Sequence, residues 1–341
     1  MDAGHHIPVL LEEAVAALAV KPDGVYVDAT FGRGGHTRAI LAKLAASGRL
    51  IAIDRDPAAE AAARELAALD TRFSFHRAWF SELPEVLQSL TPAVLQAVAP
   101  AQVDGVLLDL GISSPQIDDA ERGFSFRQDG PLDMRMDPAR GESAAEFVAR
   151  ATPRELMEVI RDYGEERFAQ SIARAIAAAR ARDPILRTRQ LAHIVAEALG
   201  ARARGDWSQD PATRTFQALR IFVNRELSEL QATLPRAVSL LRTEGRLAVI
   251  SFHSLEDRIV KRFIARASQP FGGDAAASRL AIATAQLPPV TLLPVGRAIK
   301  ASADEVARNP RARSAVLRVA QRTAHPLPAD WPRGVAEDIA A

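Results

Sequence analysis

Apolar positions along the chain fall into two kinds of run. Short runs that read as buried strands end at an acid or a polar residue, and longer stretches at helical spacing lie between them. Val25–Asp28, Leu50–Asp54 and Phe73–His76 are of the first kind, as is Val103–Leu108, which is followed by Asp109. Thr37–Leu44 and Ala58–Leu69 are of the second. Strands alternating with helices predict a parallel sheet covered by helices on both faces. After Asp109 the pattern changes. A loop rich in Gly, Ser, Pro and Asp runs from Gly111 to Gly141. Phe168, Ile172, Ala175, Ile176 and Ala179 then share one helical face, and Arg187–Leu199 predicts a further helix. Phe216, Leu219, Val223, Leu227, Leu230 and Leu234 form one long apolar stripe. The sheet resumes at Arg246–Phe252, and Val290–Val295 with Ala315–Ala320 complete it as an antiparallel pair.

This pattern predicts a discontinuous α/β domain over 1–134 and 216–322, interrupted by a helical insertion over 135–215. Ser268–Pro289 reads as a loop and 323–341 as a mobile tail. The 341 residues, 48% of them hydrophobic, suffice for a substantial core. Lys and Arg number 43 against 42 Asp and Glu, so a surface for a polyanion has to be local. The absence of cysteine excludes disulfides, thiolate metal sites and a cysteine nucleophile. No apolar run reaches membrane-spanning length and no signal-peptide order opens the chain, so a cytoplasmic protein is expected. The seven histidines are scattered without H-E-x-x-H spacing, and His5 beside His6 is a poor chelate, so no metal is expected. Neither a G-x-S-x-G elbow nor a P-loop lysine is present, which argues against hydrolase and NTPase chemistry.

The strand ends carry the candidate chemistry, because ligands in open α/β sheets bind beyond the carboxyl ends of strands. The first strand runs into Gly32-Arg33-Gly34-Gly35-His36, and the second ends at Asp54, a carboxylate placed to hold a ribose hydroxyl. This is not the dinucleotide fingerprint, since Thr37 stands where a third glycine belongs, which disfavours a nicotinamide dehydrogenase. Asp28 just before the turn suits a cofactor bearing a cation or an amine, as S-adenosylmethionine does. A tight βα turn without a ligand is the plainer alternative. Phe80, after the third strand, is placed to flank an adenine or to serve as an ordinary core aromatic. Asp109 leads into Gly111-Ile112-Ser113-Ser114-Pro115-Gln116, where two substrates can meet or where a turn is simply capped. Arg122–Phe126 and Gly130–Asp137, with Arg135, group aromatics, arginines and methionines in a manner that suits a lid or a base-stacking loop, the plainer alternative being a long loop packed on its own side chains. His253 and Ser254 lie at the end of the fifth strand. Arg258, Lys261, Arg262 and Arg266 then form a basic stripe, and Asn309–Ser314 adds a second basic patch.

Taken together, these segments resemble the bacterial ribosomal RNA small-subunit methyltransferase H family, also called MraW. The matching blocks include His6–Leu11, Asp28–His36, Asp109–Gln116, Arg122–Phe126, Pro131–Asp137, Pro211–Ile221, Ser251–Lys261 and Asn309–Ala315. The resemblance implies a class I (Rossmann-like) methyltransferase sheet with an inserted helical domain that recognises substrate. It implies S-adenosylmethionine as cofactor, held by Gly34, Gly35, His36, Asp54, Phe80, Asp109 and Gln116. The implied reaction is N4-methylation of a cytidine in the decoding region of 16S rRNA, with the small ribosomal subunit as partner and neither membrane nor metal involved. Ser113, Ser114, Arg135, His253 and Arg258 are the substrate-binding candidates, and Asp109 is a weak catalytic candidate. Many amino-methyltransferases carry D/N/S-P-P-aromatic at the fourth strand end. This chain has Ser113-Ser114-Pro115-Gln116, which leaves the group that accepts hydrogen bonds from the amine open. The alternatives are an amino-methyltransferase for DNA and a non-catalytic RNA-binding assembly factor. The oligomeric state stays open, a homodimer included.

Overall fold

A computed structural model of the protein describes residues 8–90, 102–200, 210–269, 290–328 and 331. His5 and His6 lie outside the described residues, as does most of the Ser268–Pro289 loop. The chain divides into two compact units, Met1–Gly111 with Leu227–Ala341 and Ile112–Glu226.

The first unit is built on an eight-stranded sheet. Its strands are β1 (Val25–Asp28), β2 (Arg49–Asp54), β3 (Phe73–Arg77), β4 (Val103–Asp109), β5 (Leu241–Ser251), β6 (Leu292–Pro294), β7 (Ile299–Lys300) and β8 (Val316–Arg322). They are ordered β3-β2-β1-β4-β5-β8-β6, with β7 also paired to β8. The first five are parallel, and β8 runs antiparallel to β5, β6 and β7. This is the class I methyltransferase sheet, and the two late runs form the expected antiparallel pair. β5 begins at Leu241, earlier than the apolar run that announces it, because a register shift against β4 at Val103/Gly105 admits the polar residues Arg242 to Gly245. Strand alternation sends Val25, Val27, Ile51, Ile53, Val106 and Leu108 into one core, against the helices Glu226–Leu240 and Ser254–Ala267. Tyr26, Leu50, Ala52 and Leu107 enter a second core on the other face, under the helices Leu11–Leu18, Gly35–Leu41 and Ala59–Leu69. Part of the tail expected to be mobile is fastened here. Leu327 and Trp331 pack on the first core, and the Trp331 indole N–H donates to the Pro235 carbonyl at 3.0 Å.

The second unit is wider than the predicted insertion of 135–215. Phe124, Leu132, Met134 and Met136 of the supposed loop are buried in its helical core, as are Phe216 and Leu219. Capping boxes start two of its helices, Ser143 with Glu146 before Ala144–Arg150 and Thr152 with Glu155 before Pro153–Gly164. The long apolar stripe from Phe216 to Leu234 is two helices, Thr213–Val223 and Glu226–Leu240, broken where Arg225 takes a φ of 51°. At the break the Asn224 side chain, 3% exposed, donates to the Met134 carbonyl at 2.7 Å and accepts the Met136 N–H at 2.7 Å. It thereby holds Met134 at its positive φ of 65°. Asn224→Ala leaves these buried backbone groups unpaired and is expected to cost about 2–3 kcal/mol. A thermal or urea melt that matches the parent would contradict this role.

Candidate active site

Asp28, Asp54 and Asp109 end three neighbouring strands, and alternation sends all three to the same face. Asp28 follows Tyr26, Asp54 follows Ala52, and Asp109 follows Leu107, each two positions on. Asp28 stands opposite both Ala52 and Leu107 in register. Asp54 and Asp109 therefore stand at the rim, about 9.6 Å apart across two strand spacings, with Asp28 one level below and between them. This is the switch point of the sheet, where β1 is followed by β2 on one side and flanked by β4 on the other.

The glycine turn is tied to two of these carboxylates. Asp54 accepts the Gly32 N–H at 2.7 Å and the Asp56 N–H at 2.9 Å. Asp28, 1% exposed, accepts the Thr37 hydroxyl at 2.7 Å and the Thr30 N–H at 3.2 Å. The Thr30 hydroxyl in turn accepts the Asp109 N–H at 2.7 Å, coupling the turn to β4. Gly32 and Gly34 have φ of 55° and 75°, the left-handed region that glycine occupies without strain. A Cβ on Gly35 would lie 2.1 Å from Pro8 Cγ, so this glycine admits the segment that enters the first helix. Thr30 and Thr37 were not among the sequence candidates, because a hydroxyl beside an acid leaves no pattern without the fold.

Asp109 differs from the other two. Its Oδ1 is buried and has no hydrogen-bond partner, so it is an acceptor waiting for a donor. Its Oδ2 lies 3.6 Å from His36 Nδ1. His36, 5% exposed, has Nε2 3.1 Å from the Val9 carbonyl. That contact needs a proton on Nε2, so a neutral ring turns its bare Nδ1 toward Asp109. Burial pushes the Asp109 carboxyl well above the usual range, and the Asp28 and Glu256 carboxylates push it further. Burial also raises Asp28, against its bonds to Thr37 and Thr30. It pushes Asp54 up to about 6, against the Asp56 and Gly32 N–H groups. A pocket that penalises negative charge this strongly favours a ligand that brings positive charge or hydrogen-bond donors. The free Asp109 oxygen, the open space above Gly32, where a Cβ would touch nothing within 4 Å, and the rim carboxylate Asp54 fit the ammonium, sulfonium and ribose hydroxyls of S-adenosylmethionine.

The other candidates divide. Phe80 is partly buried at the start of a 3₁₀ turn after β3, with Arg55 4.9 Å over the Trp79 ring and 6.0 Å from its own. His253 caps the helix Ser254–Ala267, and its Nε2 lies 3.2 Å from Glu256 Oε1. Arg258 is exposed on that helix. Gln116, Ser113, Ser114 and Arg135 belong to the second unit. Gln116 Oε1 accepts the Ser113 N–H at 2.8 Å, while the Ser114 hydroxyl is buried without a partner. Arg135 makes a bidentate pair with Asp133, at 2.8 Å for each bond.

The two left-handed glycines differ in surroundings. A Cβ on Gly34 would also lie 2.7 Å from the Phe31 ring, whereas one on Gly32 meets open space. Both alanine variants incur about 1–2 kcal/mol of backbone strain, and Gly34→Ala adds overpacking of about 1–3 kcal/mol. Gly34→Ala should therefore lower the melting temperature more than Gly32→Ala, and the reverse order would contradict the geometry.

The protein is 61% identical to a ribosomal RNA small subunit methyltransferase H of Methylobacillus flagellatus over 324 residues, 95% of this chain and 96% of the relative. It is 60% identical to the Thiobacillus denitrificans protein of that name, covering 94% and 97%. It is 56% identical to one from Neisseria meningitidis, covering 98% of both. Residues 3–323 match the MraW methylase family, and the chain belongs to that family.

Proposed function

We propose that this protein is an S-adenosylmethionine-dependent rRNA methyltransferase that acts on the N4 amine of a cytidine in the decoding region of 16S rRNA, within the small ribosomal subunit. The unpartnered Asp109 oxygen at the switch point carries the reading. Bound there, the cofactor would supply a methyl group activated by its sulfonium charge: the S–CH₃ bond would break as the N–CH₃ bond formed, leaving a neutral thioether, and the amine's proton would pass to water. The protein's part is to hold and align. Asp54 would accept the ribose hydroxyls, the backbone of Gly34, Gly35 and His36 would line the approach, Phe80 would flank the adenine, and Gln116 would complete the cofactor set. Asp109 accepts from the cofactor's cationic end. Burial and the neighbouring Asp28 and Glu256 carboxylates push its carboxyl up, and a cationic partner would offset that.

The cytosine amine is a poor nucleophile, since its lone pair is conjugated with the ring. Accepted hydrogen bonds and alignment with the methyl group lower that barrier. Among the substrate candidates, Arg258 is exposed, which suits an RNA contact, whereas the Ser114 hydroxyl is buried. Ser113, Arg135 and His253 shape the segments around them through their caps and pairs. A base within folded RNA has to be splayed out to be reached. Among the described residues no helix is long and apolar enough to cross a membrane.

The substrate is tested by methyl transfer to small subunits lacking the modification, followed by mass mapping of the rRNA. A new methyl on a decoding-region cytidine is expected, and label confined to DNA or protein would overturn the proposal. Cofactor affinity should rise as pH is raised through about 6, where Asp54 ionises. Asp54→Asn should weaken binding tenfold or more, from about 1.5–3 kcal/mol for a hydrogen bond to a charged group. Calorimetry between pH 5 and 8 checks both, and an unchanged affinity in the variant would refute the ribose contact.

A further inference from the structure

Charge on this protein is nearly balanced overall, at 43 Lys and Arg against 42 Asp and Glu, but it is not evenly spread. Between 290 and 322 stand seven Lys and Arg against two acids, Asp304 and Glu305. Glu305 is already engaged, because its carboxylate accepts the Leu10 N–H at 2.7 Å. Arg297, Lys300, Arg308, Arg311 and Arg313 are all exposed. Among the described residues no carboxylate pairs with Arg297, Lys300 or Arg313. Exposed arginines elsewhere, such as Arg64, Arg154 and Arg161, do have acid partners.

The sheet brings this segment to the edge that holds the site. β8 is antiparallel, so its first residue, Val316, stands beside Ser251 at the end of β5. Lys300 of β7 stands on the other side of Val316. Ile250, next to Ser251, is the partner of Asp109. From Asp109 to Lys300 is thus three strand steps along the carboxyl edge, about 14 Å. The segment just before β8 is held firmly. Asn309 accepts the Arg311 N–H at 3.2 Å, and Ala312 is fully buried, so Arg311 and Arg313 on either side of it are held outward. No aromatic residue lies between 290 and 322, so there is no aromatic platform for base stacking there.

We propose that this flank, centred on Arg297, Lys300 and Arg313, is a phosphate-tracking surface that holds the RNA backbone about 14 Å from the methyl-transfer site. It rests on the rRNA reading above and adds to it where the strand leading to or from the target nucleotide runs. Exposed cations without acid partners and without aromatics fix position and register, and leave base recognition to other residues.

The test uses the full chain with Arg297→Ala, Lys300→Ala and Arg313→Ala combined, and each charge-keeping change to Lys at 297 and 313 as a control. The first probe is a 20-nucleotide single-stranded RNA, with binding followed against salt. The triple variant should lose about 2 from the slope of log K against log salt, about 0.7 per phosphate contact, and about tenfold in affinity near 0.15 M salt. The lysine variants should keep the slope, and calorimetric affinity for S-adenosylmethionine should match the parent, which a folding defect would not allow. The KM for unmodified small subunits should rise in parallel. An unchanged slope and KM would overturn the surface, as would loss of binding to anionic lipid vesicles with RNA binding intact. Failure of the parent to methylate subunits would instead strike the rRNA reading, since the salt slope is read without catalysis.

Discussion

The Asp54 carboxylate accepts the Gly32 N–H at 2.7 Å, and the shape of the site follows from that bond. It pins the glycine turn to the end of the neighbouring strand, and Asp28 pins the following helix through Thr37. With the turn held from both sides, the backbone past β1 stays clear of the space above the switch point. The three acids share this edge because parallel strands in register, read two residues on from Tyr26, Ala52 and Leu107, can only point them to one face. Two are occupied by the protein's own donors, and the third, Asp109, retains a buried oxygen with nothing to bind.

That division explains the electrostatics. Burial raises all three carboxyls, and Asp109 bears in addition the repulsion of Asp28 and Glu256. A neutral or anionic ligand would leave the strain in place, whereas a cation relieves it. A methyl donor that is positive before transfer and loses its sulfonium charge afterwards suits such a pocket at the moment of binding. It suits it less once the reaction is done.

Much of this was legible in the sequence. β1, β2 and β4 announced themselves because an apolar run closed by an acid has few other readings, and the ends of those runs carry the three clustered acids. The Gly111–Gly141 segment was not legible as helical-unit core, because Leu132, Met134 and Met136 alternate with Asp133 and Arg135 at a period of two rather than at helical spacing, and they and Phe124 are buried by tertiary contact. The Phe216–Leu234 stripe looked continuous because helical spacing survives the break at Arg225, whose positive φ leaves no mark in composition. The helix Pro153–Gly164 was in principle readable from Thr152-Pro153-Arg154-Glu155, a capping box with proline at the first position. His253, a candidate from its place at a strand end, also starts a helix and leans on Glu256, a structural part that its position in the sequence does not announce.

The central claim is that Asp109 is kept free for the cofactor while Asp28 and Asp54 hold the turn. The most direct measurement is a crystal structure of the complex with S-adenosylmethionine. The account predicts Asp109 Oδ1 within about 3.2 Å of a cofactor donor, with the Asp28 to Thr37 and Asp54 to Gly32 bonds unchanged. A bound cofactor that leaves Asp109 Oδ1 without a partner, or that displaces Gly32 from Asp54, would contradict it.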